Sequence, residues 1–244
     1  MQVYFVSLGC PKNLTDTEVL MGKLVSAGYQ ITPHPAKAYI IIINTCAFLK
    51  SARQEALDTI REMAQWKKKG QCKKIYVAGC FPKYINSSLG ISHSSLSQYI
   101  DGYLDSIALF DSNTPRIKAT HPWTAYVKIA EGCNNRCSYW LIPKIRGPLK
   151  LRSAGDIIKE VQLLAKRGVK EIIYVAQDTT AYPNFTGLLR KTARIRGIRW
   201  IRILYAHPAH VTNKLLDTIA SERKIVKYLD LPIQHVSEDR KSVV

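Results

Sequence analysis

The sequence lacks a third cysteine where its most distinctive motif would require one. Cys133 and Cys137 lie four residues apart, and Trp140 occupies the position three residues further on. A Cys-x-x-x-Cys-x-x-Cys run on a tight loop lets three thiolates bind three irons of one [4Fe–4S] cube and leaves the fourth iron open for a small molecule. An indole offers an N–H donor and no thiolate, so Trp140 cannot bind iron.

Long apolar segments are also missing. No stretch approaches the roughly 20 consecutive apolar residues that a transmembrane helix needs, and residues 1–10 contain no basic segment followed by an apolar one, as a secretory signal would. We therefore expect a cytoplasmic protein with no membrane partner. In that compartment, six cysteines favour metal binding or catalysis over disulfides.

Acidic residues are few compared with basic ones. The chain has 36 Lys and Arg residues against 18 Asp and Glu residues, a formal net charge of +18. This imbalance favours an anionic partner such as RNA or a ribosomal surface, although a solvated basic surface explains it equally well. The basic clusters have no regularly interleaved aromatic residues, which argues against a stacking platform for single-stranded nucleic acid.

The first part of the chain alternates β-strands with α-helices, which predicts a parallel sheet in an α/β fold. The predicted strands cover residues 2–8, 39–44 and 74–78. Asn13 is predicted to cap the helix after the first strand, and Gly28 to end it. Ser51 and Gln54 form a capping-box pattern for the next helix, which is predicted to run to about residue 69.

A cysteine follows each of these three strands. Cys10, Cys46 and Cys80 lie just past the carboxyl ends of their strands, at the edge where ligands bind in open α/β sheets. Because parallel strands bring these ends together, we expect the three thiols to converge on a shared metal site, in preference to being three small buried hydrophobic residues. Cys72 lies outside every motif and is interpreted as a bystander thiol.

The alternation of strands and helices begins again at Thr124. Strands are predicted at residues 124–130, 171–176, 200–205 and 227–231, and helices at about 153–167, 185–195 and 212–222. This pattern is typical of an incomplete (β/α) barrel, whose chemistry lies on the loops that follow the strands. We place the domain boundary at about residues 115–122, which gives an N-terminal parallel-sheet domain over residues 1–118 and a partial barrel over residues 119–244.

Several segments resemble the radical S-adenosylmethionine (SAM) methylthiotransferases. They are residues 128–139, 142–143, 146–148, 175–182, 200–206 and 232–235. The resemblance runs from residue 3 to about residue 236. It is closer to the RimO branch, which modifies an aspartate of ribosomal small-subunit protein twelve, than to the MiaB branch, which modifies tRNA. It implies an enzyme that adds a methylthio group to the β-carbon of that aspartate.

The resemblance also implies cofactors, partners and residue roles. Its metal ligands would be Cys10, Cys46 and Cys80 for an auxiliary [4Fe–4S] cluster, and Cys133 and Cys137 for a radical SAM [4Fe–4S] cluster. Tyr139 would pack near the adenine of SAM, and Gln177 and Arg202 would lie near its methionine end. Plain packing or a solvated charge is the alternative for Tyr139 and Arg202. The partners would be ribosomal protein twelve or the ribosome, and an electron donor such as flavodoxin or ferredoxin.

Trp140 and the length of the chain depart from the family pattern. Family barrels have about six strands and are followed by a nucleic-acid-binding TRAM domain, so we expect a truncated barrel without that domain and with impaired or absent catalysis. The alternatives are a MiaB-like tRNA enzyme and a non-catalytic basic remnant that binds RNA or the ribosome. A zinc site on the Cys133–Cys137 loop is less favoured, because no ligand pair lies nearby at finger spacing. His207, His210 and His235 are interpreted as barrel-mouth or surface residues.

Overall fold

The structure, a computed structural model, describes residues 1–85, 96–105, 108–135, 137 and 141–232. The expectations for Tyr139, Trp140 and His235 fall outside the described residues. The chain divides into two compact units. The first comprises residues 1–108, 114–117 and 144–146, and the second comprises residues 109–113, 118–143 and 147–244. Within the described residues, no helix combines the length and the apolar character needed to span a membrane.

The first unit is built on a five-stranded parallel sheet. Its strands are β1 (Gln2–Ser7), β2 (Gln30–Ile31), β3 (Ile40–Thr45), β4 (Lys74–Gly79) and β5 (Gly102–Tyr103). They pair in the order β2-β1-β3-β4-β5. The central strand β3 begins with four isoleucines, whose β-branched side chains favour extended backbone, and Ile41 and Ile43 are completely buried. The three predicted strands are present, and β2 and β5 are additional.

The helices of the first unit begin at positions other than those predicted. They are α1 (Pro11–Ser26), α2 (Lys50–Ala64), α3 (Trp66–Lys69) and α4 (Cys80–Tyr84). The N-cap of α1 is Cys10, because Pro11 suits the first helical position, where its missing N–H is not needed. Asn13 was therefore wrongly predicted as the cap. Gly28 follows the end of α1 with a φ of +87°, the left-handed conformation expected of a glycine stop.

The predicted capping box of the second helix is wrong. Helix α2 begins at Lys50 after the N-cap Leu49, which makes no side-chain capping bond. Gln54 instead donates from Nε2 to Asp58 Oδ1 at 2.9 Å on the exposed helix surface. A turn at Gln65 separates α2 from α3, so the predicted single helix is interrupted.

The second unit contains a three-stranded parallel sheet and a short antiparallel ribbon. The sheet consists of β6 (Thr124–Lys128), β9 (Glu171–Val175) and β10 (Trp200–Ile203), and the ribbon of β7 (Ala130–Glu131) and β8 (Lys150–Leu151). Strand β9 lies between β10 and β6. The further helices along the chain are α5 (Ile142–Arg146), α6 (Ala154–Lys166), α7 (Phe185–Ala193) and α8 (Asn213–Ser221). Tyr174 of β9 is completely buried and packs edge-on against Phe185 at 6.0 Å.

The fourth strand predicted for the second unit, at residues 227–231, is absent. Ile225 forms a single isolated parallel bridge with Ile201. Tyr228 then donates its backbone N–H to Val226 within the same segment, at 2.8 Å. Because that donor is used locally, the segment does not continue as a ladder along β10.

We predict that Gly79→Ala destabilises the protein much more than Gly28→Ala does. Both glycines have positive φ, +89° and +87°, so each substitution should cost about 1 kcal/mol through backbone strain. A Cβ at Gly79 would also lie 2.3 Å from Asn44 Oδ1 and 2.4 Å from Thr45 O, whereas a Cβ at Gly28 would meet nothing within 4 Å. The total cost at Gly79 should therefore be roughly 3 kcal/mol. Urea denaturation of both variants measures the difference, and equal losses would contradict the close approach of β3 and β4.

Candidate metal centres

Three thiols lie close together at the carboxyl edge of the first sheet. A Cβ built on Gly9 would lie 2.7 Å from Cys46 Cβ and 3.4 Å from Cys46 Sγ, so the loop that carries Cys10 lies directly against Cys46. Burial raises the pKa of the Cys80 thiol most strongly, Arg146 lowers it, and Cys46 and Cys10 raise it again, with a net upward shift. Cys80 is therefore within electrostatic reach of both other thiols.

The amide of Asn13 holds the first two thiol loops together. Asn13 is completely buried, and its Nδ2 donates to Leu8 O at 3.1 Å and to Thr45 O at 2.8 Å. These two carbonyls lie immediately before the segments that carry Cys10 and Cys46, so one side chain fixes both loops. The Asn13 Oδ1 atom also accepts from Cys80 Sγ at 3.9 Å. The sequence pattern pointed to Asn13 only as a helix cap, and a further partner of its amide lies far away in the chain.

That distant partner is a buried arginine. Arg146 donates from Nε to Cys80 Sγ at 3.2 Å and from Nη2 to Asn13 Oδ1, and it forms an ion pair with Asp16 at 3.3 Å. A cation beside thiols stabilises their thiolate form, which is the form that binds metal. Three converging sulfur donors with a cation against one of them fit an iron–sulfur cluster held by three thiolates.

The Cys10 thiol has its pKa lowered. Burial raises the pKa, but Lys12, Arg146 and the backbone N–H groups of Asn13 and Lys12 together outweigh burial. Cys10 therefore loses its proton more readily than an ordinary cysteine, which favours metal binding.

Cys72 lies away from this group. It is buried, and its Sγ donates to Lys74 O at 3.4 Å, at the amino end of β4. Cys80 follows the carboxyl end of the same strand. The length of β4 thus separates Cys72 from the three converging thiols.

The second pair of cysteines follows β7 in the second unit. Cys133 is buried; its N–H donates to Gly147 O at 3.1 Å, and its Sγ accepts from Asn135 N at 3.4 Å. Gly132, with a φ of +77°, precedes it, and a Cβ there would lie 2.1 Å from Pro148 O. This part of the loop therefore requires glycine. The sequence supplies two thiols and an indole here, one thiolate fewer than a cube held by three cysteines needs.

His207 lies beside Cys137. Its Nε2 is 3.9 Å from Cys137 Sγ, and its Nδ1 accepts from Ala209 N at 3.2 Å. An Nδ1 that accepts a hydrogen bond carries no proton, so in the neutral ring the proton is on Nε2. In that tautomer His207 donates toward the Cys137 sulfur.

Asp178 and two histidines form a cluster that was not predicted. The ligand atoms of Asp178, His207 and His210 lie within 4.8 Å of one another, and Asp178 Oδ2 is 2.6 Å from His210 Nδ1. Burial raises the pKa of Asp178, but hydrogen bonds from Thr180, Asn135 and His210 outweigh it and lower the pKa. A signal was present in the sequence, since Asp178 follows β9 and both histidines follow the neighbouring parallel strand β10.

Gln177 is buried at the carboxyl end of β9. Its Nε2 donates to Glu131 Oε1 at 2.6 Å, and Glu131 also forms an ion pair with Lys128 at 2.7 Å. The Oε1 atom of Gln177 is buried, and among the described residues it has no hydrogen-bond partner. A buried acceptor without a partner is costly, so this position fits a ligand that offers an N–H donor.

Arg202 is not brought together with Gln177. Its Nε donates to Oε1 of Glu171, the first residue of β9, at 3.1 Å, and its guanidinium lies 5.8 Å from the ring of Tyr228. The guanidinium thus reaches toward the amino end of the sheet, whereas Gln177 lies at the carboxyl end.

Comparisons with known proteins match both parts of the chain that carry these cysteines. The profile of "Uncharacterized protein family UPF0004" matches residues 2–98, and that of the radical SAM superfamily matches residues 127–244. A protein of Syntrophus aciditrophicus named ribosomal protein uS12 methylthiotransferase RimO is 42% identical over 97% of this chain. A protein of the same name from Pelotomaculum thermopropionicum is 41% identical over 97%. The two profiles and these relatives support a RimO-branch radical SAM methylthiotransferase.

This chain covers 59% and 60% of the lengths of those two relatives. Among solved structures, the radical SAM methyltransferase TsrM from Kitasatospora setae, with its tryptophan substrate and a SAM analogue bound, matches 98% of this chain and 60% of its own chain. The TM-score is 0.61 at 12% identity, which shows a shared fold. The predicted α/β class, with an N-terminal parallel sheet and a radical SAM unit, is confirmed. Membership of a radical SAM branch also confirms SAM and [4Fe–4S] clusters as the cofactors of this family.

We predict that removing any one of the three converging thiols reduces iron binding. After anaerobic reconstitution, Cys10→Ser, Cys46→Ser and Cys80→Ser should each lose most of the roughly four irons that one cube holds. Cys72→Ser is the matched control, because it removes a buried thiol at the other end of β4 and should leave the iron content unchanged. Iron and sulfide assays measure the result, and a loss with Cys72→Ser equal to the others would contradict the proposed ligand set.

Proposed function

We propose that this chain carries the cluster-binding units of a methylthiotransferase that acts on the β-carbon of an aspartate in ribosomal protein uS12. The RimO relatives support this reaction and this substrate, since 42% identity extends over 97% of the chain. The observation that carries the proposal is the convergence of Cys10, Cys46 and Cys80 around Asn13 and Arg146. In the proposed assignment, this set binds the auxiliary cluster through residues 1–118, and residues 119–244 form the radical SAM unit.

We further propose that catalysis in this chain is impaired at the Cys133–Cys137 loop. A radical SAM cluster, when bound, supplies the electron that cleaves SAM. With Trp140 in place of a third cysteine, the loop offers two thiolates, and a cube bound this way should be labile, because cluster stability depends on ligand identity and solvent exposure.

Three residues receive proposed roles toward SAM. Gln177 is the strongest candidate, because its buried Oε1 fits an N–H donor such as the amino group at the methionine end of SAM. Tyr139 is proposed to pack near the adenine. For Arg202, the ion pair with Glu171 favours the alternative of a charged residue that serves the fold.

The proposed partners follow from the same assignment. They are uS12 or the ribosome and an electron donor such as flavodoxin or ferredoxin, in the cytoplasm. RNA contact through the basic surface is a further part of the proposal, since a net charge of +18 attracts polyanions.

We predict that Trp140→Cys restores a second cluster. The variant should rise from about four irons per chain to about eight and should gain reductive cleavage of SAM to 5′-deoxyadenosine, because a third thiolate completes the loop. Trp140→Ser is the matched control: it removes the indole without supplying a thiolate and should stay near four irons. Iron content, cluster absorbance and chromatographic detection of 5′-deoxyadenosine are the measurements.

Two outcomes would contradict this proposal. Wild-type protein that binds about eight irons and cleaves SAM would mean that Trp140 is no barrier. A Trp140→Cys variant that gains no iron would mean that the loop is defective at another position.

The second candidate function is a non-catalytic protein that binds RNA or ribosomes. The excess of basic residues, 36 against 18 acidic, favours it. It predicts ribosome binding whose affinity falls steeply with salt concentration, together with no SAM turnover even in Trp140→Cys. For the MiaB-like alternative, methylthiolation by the Trp140→Cys variant should appear on tRNA and not on uS12.

A further inference from the structure

Contacts to Asp16 and Asn13 hold Arg146 in one orientation. Its Nη1 and Nη2 both face Asp16 Oδ2, at 3.3 and 3.4 Å, and its Nη2 also donates to Asn13 Oδ1. A guanidinium is planar and its N–H groups lie in a fixed fork. Fixing the two outer nitrogens therefore fixes the direction of the Nε–H, which points at Cys80 Sγ from 3.2 Å.

The contact lies in the interior of the first unit. The side chains of Arg146 and Asp16 are each 1% exposed in their ion pair. Water therefore screens the positive charge poorly, and its effect on a neighbouring sulfur is large. Asp16 offsets part of this charge and accepts from the two Nη atoms. The Nε–H remains directed at the sulfur.

Lys12 and Arg146 act on the Cys10 and Cys80 thiols, and they act differently. Lys12 influences Cys10 through its charge and backbone N–H, whereas Arg146 influences both Cys10 and Cys80. Arg146 donates a side-chain hydrogen bond from Nε to the Cys80 sulfur. It is thus the side chain best placed to alter the electronic properties of a group bound there.

We propose that Arg146 is a positioning residue that holds the Cys80 sulfur and raises the reduction potential of the cluster bound by Cys10, Cys46 and Cys80. Adding an electron makes a cluster and its thiolates more negative. A buried cation and an N–H···S hydrogen bond both stabilise the more negative state, and hydrogen bonds to the sulfurs are among the factors that set these potentials. The inference rests on the proposed function only in assuming that these three thiols bind a cluster.

The test is a redox titration of the single cluster in the full chain. The chain carries Cys137→Ser, so that the second loop contributes no signal, and the reduced cluster is followed by electron paramagnetic resonance. Arg146→Met should lower the reduction potential of the cluster. At a given applied potential, the ratio of reduced to oxidised cluster should fall at least tenfold, which corresponds to a shift of about 59 mV for a one-electron couple. Arg146→Lys keeps the charge but loses the fork and should show a smaller fall. Arg61→Met, which removes an exposed cation of α2, should leave the potential unchanged.

Each result decides the proposal. Arg146→Met with bound cluster and a wild-type potential would overturn it. If Arg146→Met does not bind the cluster, the test uses Arg146→Lys instead. A cluster in Arg146→Lys with the reduction potential of wild type would then overturn the proposal. Equal shifts in Arg146→Met and Arg61→Met would also overturn it, since they would reflect net charge alone. Absence of iron from the parent chain itself would overturn the proposed cluster site together with this inference, whereas an iron-bearing parent with unshifted variants would overturn the inference alone.

Discussion

The site in the first unit depends on the parallel direction of β1, β3 and β4. Because these strands run the same way, their carboxyl ends reach one edge of the sheet, and the residue that follows each strand arrives at the same place. Ser7 pairs with Asn44, and Thr45 pairs with Gly79, so the last residues of the strands are in register. A shift of one strand by a single position would turn its side chains to the opposite face. The register therefore determines whether three distant thiols can serve one metal group.

The convergence of Cys10, Cys46 and Cys80 could be predicted, because it follows from patterns within short stretches of sequence. A buried strand followed at once by a cysteine is visible in the sequence, and the parallel arrangement follows from alternating strands and helices. The contributions of Asn13 and Arg146 could not be predicted, because they lie 133 positions apart and nothing in local periodicity relates them. The prediction of Asn13 as a helix cap failed because Pro11 moved the start of α1 three residues earlier.

In the second unit, too, some features follow from local sequence patterns and others depend on contacts between distant residues. The spacing of Cys133 and Cys137 and the strands β6, β9 and β10 follow from local patterns. The cluster of Asp178 with His210 required knowing that β9 and β10 are neighbours, which the order of the strands along the chain only suggests. Residues 227–231 have side chains typical of a strand, but propensity is only a weak determinant of strand formation. The backbone hydrogen bond from Tyr228 N–H to Val226 O forms a local turn, which interrupts the strand.

The fold of the second unit is independent of whether its loop can bind iron. Its core is formed by Tyr174, Phe185 and their aliphatic neighbours, and the start of the loop is fixed by the Gly132 turn and the Cys133 N–H bond to Gly147. None of these interactions needs a third thiolate. A chain can therefore retain the family fold and the start of the Cys133–Cys137 loop while that loop has one cysteine fewer than a cube held by three thiolates needs. Activity depends on the donor atoms at the site, and a fold alone does not supply them.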